Sequence, residues 1–178
     1  MAESASALPV DLGLRRNRSI AFVVAFLIFL FDQAVKWLVT YPLKLEQREH
    51  IDLLPFFDLQ WVENRGVSLG LMPADSELGR WLLVGMTAGI ATFVAIWLWK
   101  ERRRQDSIAL AMILGGALGN IVDRVRFGYV VDYADFHIGG WQPFLVFNIA
   151  DAAITIGVLL LLVRALLMRD GKAKKKEA

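Results

Sequence analysis

The residues best able to do chemistry in this chain are aspartates in apolar surroundings: Asp32, Asp123, Asp132 and Asp151, with Asp135 slightly beyond. Two carboxylates held together in a low-dielectric site cannot both ionise comfortably and share a proton. The ionised member can then take a proton from water while the protonated one polarises a carbonyl. This is the acid/base pair of an aspartic protease, and it needs neither metal, Cys nor His. The chain has no cysteine and two histidines, His50 and His137. Disulfides, thiolate metal sites and cysteine nucleophiles are therefore excluded, HExxH spacing is missing, and no metal or cofactor is expected. A rival nucleophile is Ser68, because Gly66-Val67-Ser68-Leu69-Gly70 fits GxSxG and His137 could serve as its base. That motif works between a strand and a helix of an α/β sheet, and the strand–helix alternation such a sheet requires is not seen here.

The elements that must position these aspartates are membrane spans. Over 178 residues the hydrophobic share is 56%, with a mean hydropathy of +0.47, which argues against both a disordered chain and an ordinary soluble domain. Ile20 to Phe31 is an apolar run of 12 residues behind Arg15, Arg16 and Arg18. No small-residue cleavage site follows it, so it reads as an uncleaved span. Twelve residues rise only about 18 Å, so the span must continue through Asp32, Gln33 and Lys36 to about Tyr41, where Pro42 stops it. Trp81–Trp99, flanked by Arg80 and Lys100, is a second span, with Trp37, Trp81, Trp97 and Trp99 as interface anchors. Ser107 to about Asp123 is a third, and Phe144 to Arg164 a fourth.

Lys100, Arg102, Arg103 and Arg104 fill one loop, and six more basic residues stand at or beyond Arg164. The positive-inside rule places these segments and both termini in the cytoplasm. Residues 42–79 and 124–143 then face outward. Phe57, Leu59 and Trp61 alternate with Asp58 and Gln60 as in a strand, and Asn64-Arg65-Gly66 reads as a turn, so 42–79 is expected to form a small β-rich platform. The tail 169–178 has little to bury and is expected to fray. The expected architecture is a single all-α membrane domain of four helices with that platform between the first two.

Helical rise locates the polar groups in depth. Asp32 lies about 18 Å above Ile20, Asn120 roughly 20 Å above Ser107, and Asp151 roughly 20 Å above Arg164. Three helices thus bring polar side chains to one layer in the outer half of the membrane, where ionisable groups face the bundle interior and mark function. Asp32 and Lys36 are one turn apart and suit an internal ion pair; Asp123 beside Arg124 suits a local one. Gly115-Gly116-Ala117-x-Gly119 suits close helix packing. Asp132 has no basic neighbour in sequence, and Asp151 has no cation four residues away. A proton-coupled transporter also uses intramembrane carboxylates, but here they crowd one leaflet instead of forming a path across.

The blocks Asp32-Gln33-x-x-Lys36, Asn64-x-Gly66, Gly115-Gly116-Ala117-x-Gly119-Asn120-x-x-Asp123-Arg124, Val130-Val131-Asp132-Tyr133 and Phe147-Asn148-x-Ala150-Asp151 occur in the order seen in bacterial lipoprotein signal peptidases, which the chain resembles over nearly its whole hydrophobic length. The resemblance implies an inner-membrane endopeptidase that cuts prolipoproteins just before a diacylglyceryl-modified cysteine, with Asp132 and Asp151 as its catalytic dyad near the periplasmic face. It implies that Asn64, Gly66, Asn120, Arg124 and Asn148 bind substrate or support the dyad, and that Asp32, Lys36 and Asp123 are structural. Membrane lipid is the other implied partner, and nucleic acid is not one. Tyr133 and Leu69 stand where the family often has Phe.

Overall fold

Lipid cannot hydrogen-bond a bare backbone, so long apolar segments fold as helices that satisfy themselves. The computed structural model of the protein describes residues 8–66 and 77–174. Its elements run α1 (Leu8–Thr40), α2 (Leu45–Arg48), β1 (His50–Leu54), β2 (Phe57–Asn64), α3 (Glu77–Lys100), α4 (Arg104–Phe127), β3 (Val130–Phe136) and α5 (Ile149–Lys174). Four helices, over Leu14–Thr40, Glu77–Lys100, Arg104–Phe127 and Ile149–Leu167, are long and apolar enough to cross a membrane. With one three-stranded antiparallel sheet, this is the mostly helical architecture expected from the sequence. Ser68 and Leu69 lie outside the described residues.

The bundle is organised around α4, on which α1, α3 and α5 all pack. Half of its apolar window is buried within the protein, against 17–22% for the other three spans. Their remaining surface is a coat of exposed Phe, Leu, Ile and Val, which suits lipid rather than water. Small residues explain why α4 takes the centre. A methyl group on Gly115 would strike the Ala25 carbonyl of α1, and one on Gly116 the Ala150 carbonyl of α5. A methyl on Gly119 would meet the buried Asp32 carboxylate. We expect Gly119→Ala to destabilise the protein by about 1–3 kcal/mol, since neither backbone nor a pinned carboxylate yields easily. Gly89→Ala, with nothing within 4 Å of the new methyl, should be neutral or slightly stabilising, and thermal unfolding in detergent separates the two.

The sheet order is β1-β2-β3. Its first two strands form the expected platform within 42–79, but the third comes from beyond α4. Val130–Phe136 is almost wholly buried, so it lacks the alternation that reveals a half-exposed strand. Leu59, Val131, Tyr133 and Ala134 pack with Val39 and Leu45, which fixes the sheet against the end of α1. A second apolar cluster, including Ala21, Ala25, Leu98, Leu110 and Leu114, holds the opposite part of the bundle. Asp58, expected to alternate outward, is buried, because the Leu53 amide and the His137 imidazole both bond its carboxylate.

Two boundaries differ from expectation. The fourth span becomes helical at Ile149, not Phe144, because Phe147 exchanges backbone hydrogen bonds with Ala134 of β3 and is held extended. At the other end, α5 runs past Arg164 to Lys174, and the extension begins with Ala165-Leu166-Leu167-Met168, all good helix formers.

Candidate active site

Two chain reversals deliver the candidate carboxylates. α4 ends on Gly128, whose φ of +88° suits glycine and whose N–H closes the helix on the Arg124 carbonyl. β3 starts two residues later, so Asp132 is carried to the end of α4, where it is buried. Asp151 arrives on the first turn of α5. Asn148 caps that helix: its Oδ1 accepts the Asp151 N–H at 2.9 Å, and its own N–H donates to Asp151 Oδ2 at 3.4 Å. The cap's amide Nδ2 donates to Asp132 Oδ1 at 2.6 Å. One buried asparagine therefore joins the two aspartates.

Further asparagines complete the network. Asn120 of α4 donates to Asp151 Oδ1 at 2.8 Å, and its Oδ1 accepts from Asn148 at 3.3 Å. Asn64, at the end of β2, donates to Asp132 Oδ2 at 3.0 Å. Its own Oδ1 accepts the Gly66 N–H at 3.0 Å, a local turn that aims the amide nitrogen at the aspartate. Gly66 adopts φ +84°, and a methyl there would collide with the Leu83 side chain of α3. Asn64, Gly66, Asn120, Asn148, Asp132 and Asp151 thus converge, although their positions are spread over about half of the chain.

Beneath them lies a second polar cluster. Lys36 Nζ is 2.9 Å from Asp32 and 2.7 Å from Asp123, all three buried, and donates to Asn120 Oδ1 at 3.1 Å. The expected Asp32–Lys36 pair is present. The expected Asp123–Arg124 pair is not observed: Asp123 turns to Lys36, and its carboxylate also accepts from Val131 N–H and from Gln33. A buried ammonium close enough for direct pairing outcompetes a neighbour whose side chain leaves the helix in a different direction. Asp32 has a further role the sequence reading missed, since its Oδ1 accepts the Ala150 N–H at 3.0 Å and satisfies an otherwise open amide of α5. Gln33 was also missed as a contributor; its place next to Asp32 inside a span was the available signal. The Asn148-x-x-Asp151 spacing likewise carried the capping signature.

Arg124 lies within electrostatic reach of Asp151, Asp132 and Asp123, and its Nε is buried with no protein acceptor. His137, the other half of the rival serine dyad, bonds Asp58 at 2.8 Å. Beside Asp151 opens an apolar cleft of about 260 Å³ lined by Phe144, Leu145, Phe147, Ala152, Thr155 and Ile156.

Burial, and then the adjacent Asp151 charge, push the Asp132 carboxyl up to about 7, against the opposing hydrogen bonds from Asn64 and Asn148. A carboxyl near neutrality can hold a proton for donation, while its partner accepts one. Because the folded-state value lies above the unfolded value of 3.8, the folded protein binds more protons between them. This group's stabilising contribution is full below about 4 and is lost as pH rises through about 7. Thermal unfolding followed from pH 5 to 8 should show that loss, and Asp132→Asn should flatten the dependence.

The family model described as Signal peptidase (SPase) II matches residues 24–167. The lipoprotein signal peptidase of Rhizorhabdus wittichii is 54% identical over 156 residues, covering 88% of this chain and 91% of that protein. That of Sphingopyxis alaskensis is 55% identical over 156 residues, covering 88% and 90%. A solved bacterial membrane enzyme, determined by the in meso method at 2.3 Å resolution, superposes with a TM-score of 0.73 at 27% identity over 86% of this chain and 92% of its own. The four membrane helices, the small sheet and this similarity along most of the chain make it a member of the signal peptidase II family, a multi-pass bacterial membrane peptidase.

Proposed function

We propose that the protein is an aspartic endopeptidase of the bacterial inner membrane that removes the signal peptide from prolipoproteins, cutting before a diacylglyceryl-modified cysteine. Prolipoprotein substrates follow from the relatives, which are lipoprotein signal peptidases. The observation that carries the mechanism is Asn148, which bonds the Asp132 carboxylate through its side chain and caps the helix that begins with Asp151. A water between the two carboxyl groups loses a proton to the ionised aspartate and attacks the scissile carbonyl carbon. The protonated aspartate gives its proton to the carbonyl oxygen. Collapse of the tetrahedral intermediate breaks the C–N bond, and the aspartate that took water's proton gives it to the leaving amine. One hydroxyl of the intermediate returns its proton to the other aspartate as the carbonyl reforms, which restores the singly protonated dyad. Asn64 donates to Asp132 Oδ2 and Asn120 to Asp151 Oδ1, and Arg124 has a buried donor to offer substrate.

Positive-inside counting sets both termini in the cytoplasm and the dyad near the periplasmic face. A cysteine anchored by acyl chains in the outer leaflet brings its peptide bond to that level. The apolar cleft beside Asp151 suits a hydrophobic signal segment, which would present its bond to Asp151, the only carboxylate among the described residues that line it. The test is a gel-shift assay with purified full-length protein in detergent, offered one prolipoprotein with and without the diacylglyceryl group. Cleavage of the lipidated form alone, retained in Ser68→Ala and lost in Asp132→Asn, is the expected result. An inactive Ser68→Ala beside an active Asp132→Asn would establish the serine reading instead. No cleavage by wild type, with proton flux in reconstituted vesicles, would make the protein a transporter.

A further inference from the structure

The chain's two histidines, 50 and 137, meet at one carboxylate, Asp58, whose partner on β3, Asp135, lies three residues from Asp132. Asp52 of β1 and Asp58 of β2 are direct cross-strand partners, and Asp58 is in turn paired with Asp135 of β3. Residues paired across antiparallel strands share a face, so three carboxylates form one rung of the sheet. Like charges directly opposite each other are destabilising unless something lies between them. Two imidazoles reach this rung. His50 Nε2 is 2.8 Å from Asp52 Oδ1 and 3.3 Å from Asp58 Oδ2, and His137 Nε2 is 2.8 Å from the same Asp58 oxygen. On the third carboxylate, Asp135 Oδ1 is buried with no hydrogen-bond partner.

We propose that His50, Asp52 and Asp58 bind a divalent transition-metal ion of the zinc type on this face, with His137 orienting the Asp58 carboxylate. His50 and Asp52 stand two apart on β1 and therefore project to one side, towards Asp58. Their three donor atoms lie within 4.8 Å of one another. Ligands about 2.0–2.1 Å from a tetrahedral zinc are roughly 3.3 Å apart, close to the separations of 2.8 and 3.3 Å made by His50 Nε2. One imidazole with two carboxylates suits zinc better than magnesium or calcium, which favour all-oxygen shells. The Leu53 N–H donates to Asp58 Oδ1 at 3.2 Å, which holds this carboxylate in place on β2. The His137 contact fixes the orientation of that ligand, as partners of metal-bound groups commonly do. An open hollow lined by Asp52, Leu53, Leu54, Pro55, Asp58 and His137 leaves room for an ion and its water.

An ion here would clip the β1–β2 hairpin at the opposite end of the strand pair from Asn64 and Asp132. The inference does not depend on the peptidase reading. Its test is equilibrium dialysis of tag-free, full-length protein in detergent against Zn²⁺ alone, with bound metal measured directly. One saturable zinc per chain is expected. Asp52→Asn, which alters a side chain that is 91% exposed and so leaves the fold intact, should weaken binding at least about tenfold, and so should His50→Ala. His137→Gln should weaken it by roughly 10–100-fold. Magnesium and calcium at the same concentration should not compete. Saturable zinc binding that is absent, that is unchanged in both Asp52→Asn and His50→Ala, or that is displaced equally by magnesium would overturn the proposal and leave a hydrogen-bonded histidine–aspartate cluster.

Discussion

Asp151→Asn folds and loses prolipoprotein cleavage by roughly 10³-fold or more, with Asp132→Asn equally impaired and the double variant no worse than either. The expectation of intact folding comes from the hydrogen bonds. The carbonyl oxygen of a new asparagine at 151 can keep the strong donor from Asn120 at 2.8 Å, so the weak 3.4 Å contact from Asn148 N–H is what is given up. The helix cap itself uses the backbone N–H of residue 151 and survives. Chemistry is different, because an amide can neither accept water's proton nor pass one on at neutral pH. Two groups that act as one proton-sharing unit show effects that do not add, whereas independent binding roles would multiply. Single-turnover cleavage of lipidated substrate, with near-UV circular dichroism as a check on folding, reads both outcomes. A double variant a further 10³-fold below the singles would show that the aspartates do not work as a pair.

Lys36→Met should cost about 3–5 kcal/mol and leave little folded protein after extraction into detergent. Methionine matches the length of the lysine stem, so packing is largely preserved and charge is the main change. What remains is a pair of buried carboxylates, Asp32 and Asp123, that have lost the ammonium 2.9 and 2.7 Å away. Gln33, Ala150 N–H and Val131 N–H still donate to them, but neutral donors do not cancel two negative charges. Asp32 also holds the start of α5, so damage spreads to the helix that carries Asp151. Adding Asp123→Asn to Lys36→Met should recover part of the loss, because only one buried charge is then left unpaired. Thermal unfolding of the single and double variants measures this coupling, and no recovery would mean that the ion pairs are not what Lys36 contributes.

Four membrane helices and the polar residues within them were legible from hydropathy and residue type alone. Long apolar runs ending in Trp, Arg and Lys leave few alternatives to membrane helices, and aspartates within such runs are costly enough to demand a reason. The glycines of α4 were equally legible, since only small side chains allow three helices so close an approach. Which aspartate met which partner was not legible, because that depends on contacts between residues 16 to 118 positions apart. Asp123 looked like the partner of adjacent Arg124, yet the packing of α1 on α4 gave it to Lys36. Val130–Phe136 showed no strand period because both of its faces are covered, so only the assembled sheet revealed where Asp132 sits. The helix starting at Ile149 was shifted by pairing between Phe147 and Ala134, a tertiary contact that local hydropathy does not encode. Side-chain chemistry and hydropathy are local properties and survive in a linear reading, whereas register, capping partners and ion pairing are settled only when distant segments compete for the same buried polar atoms.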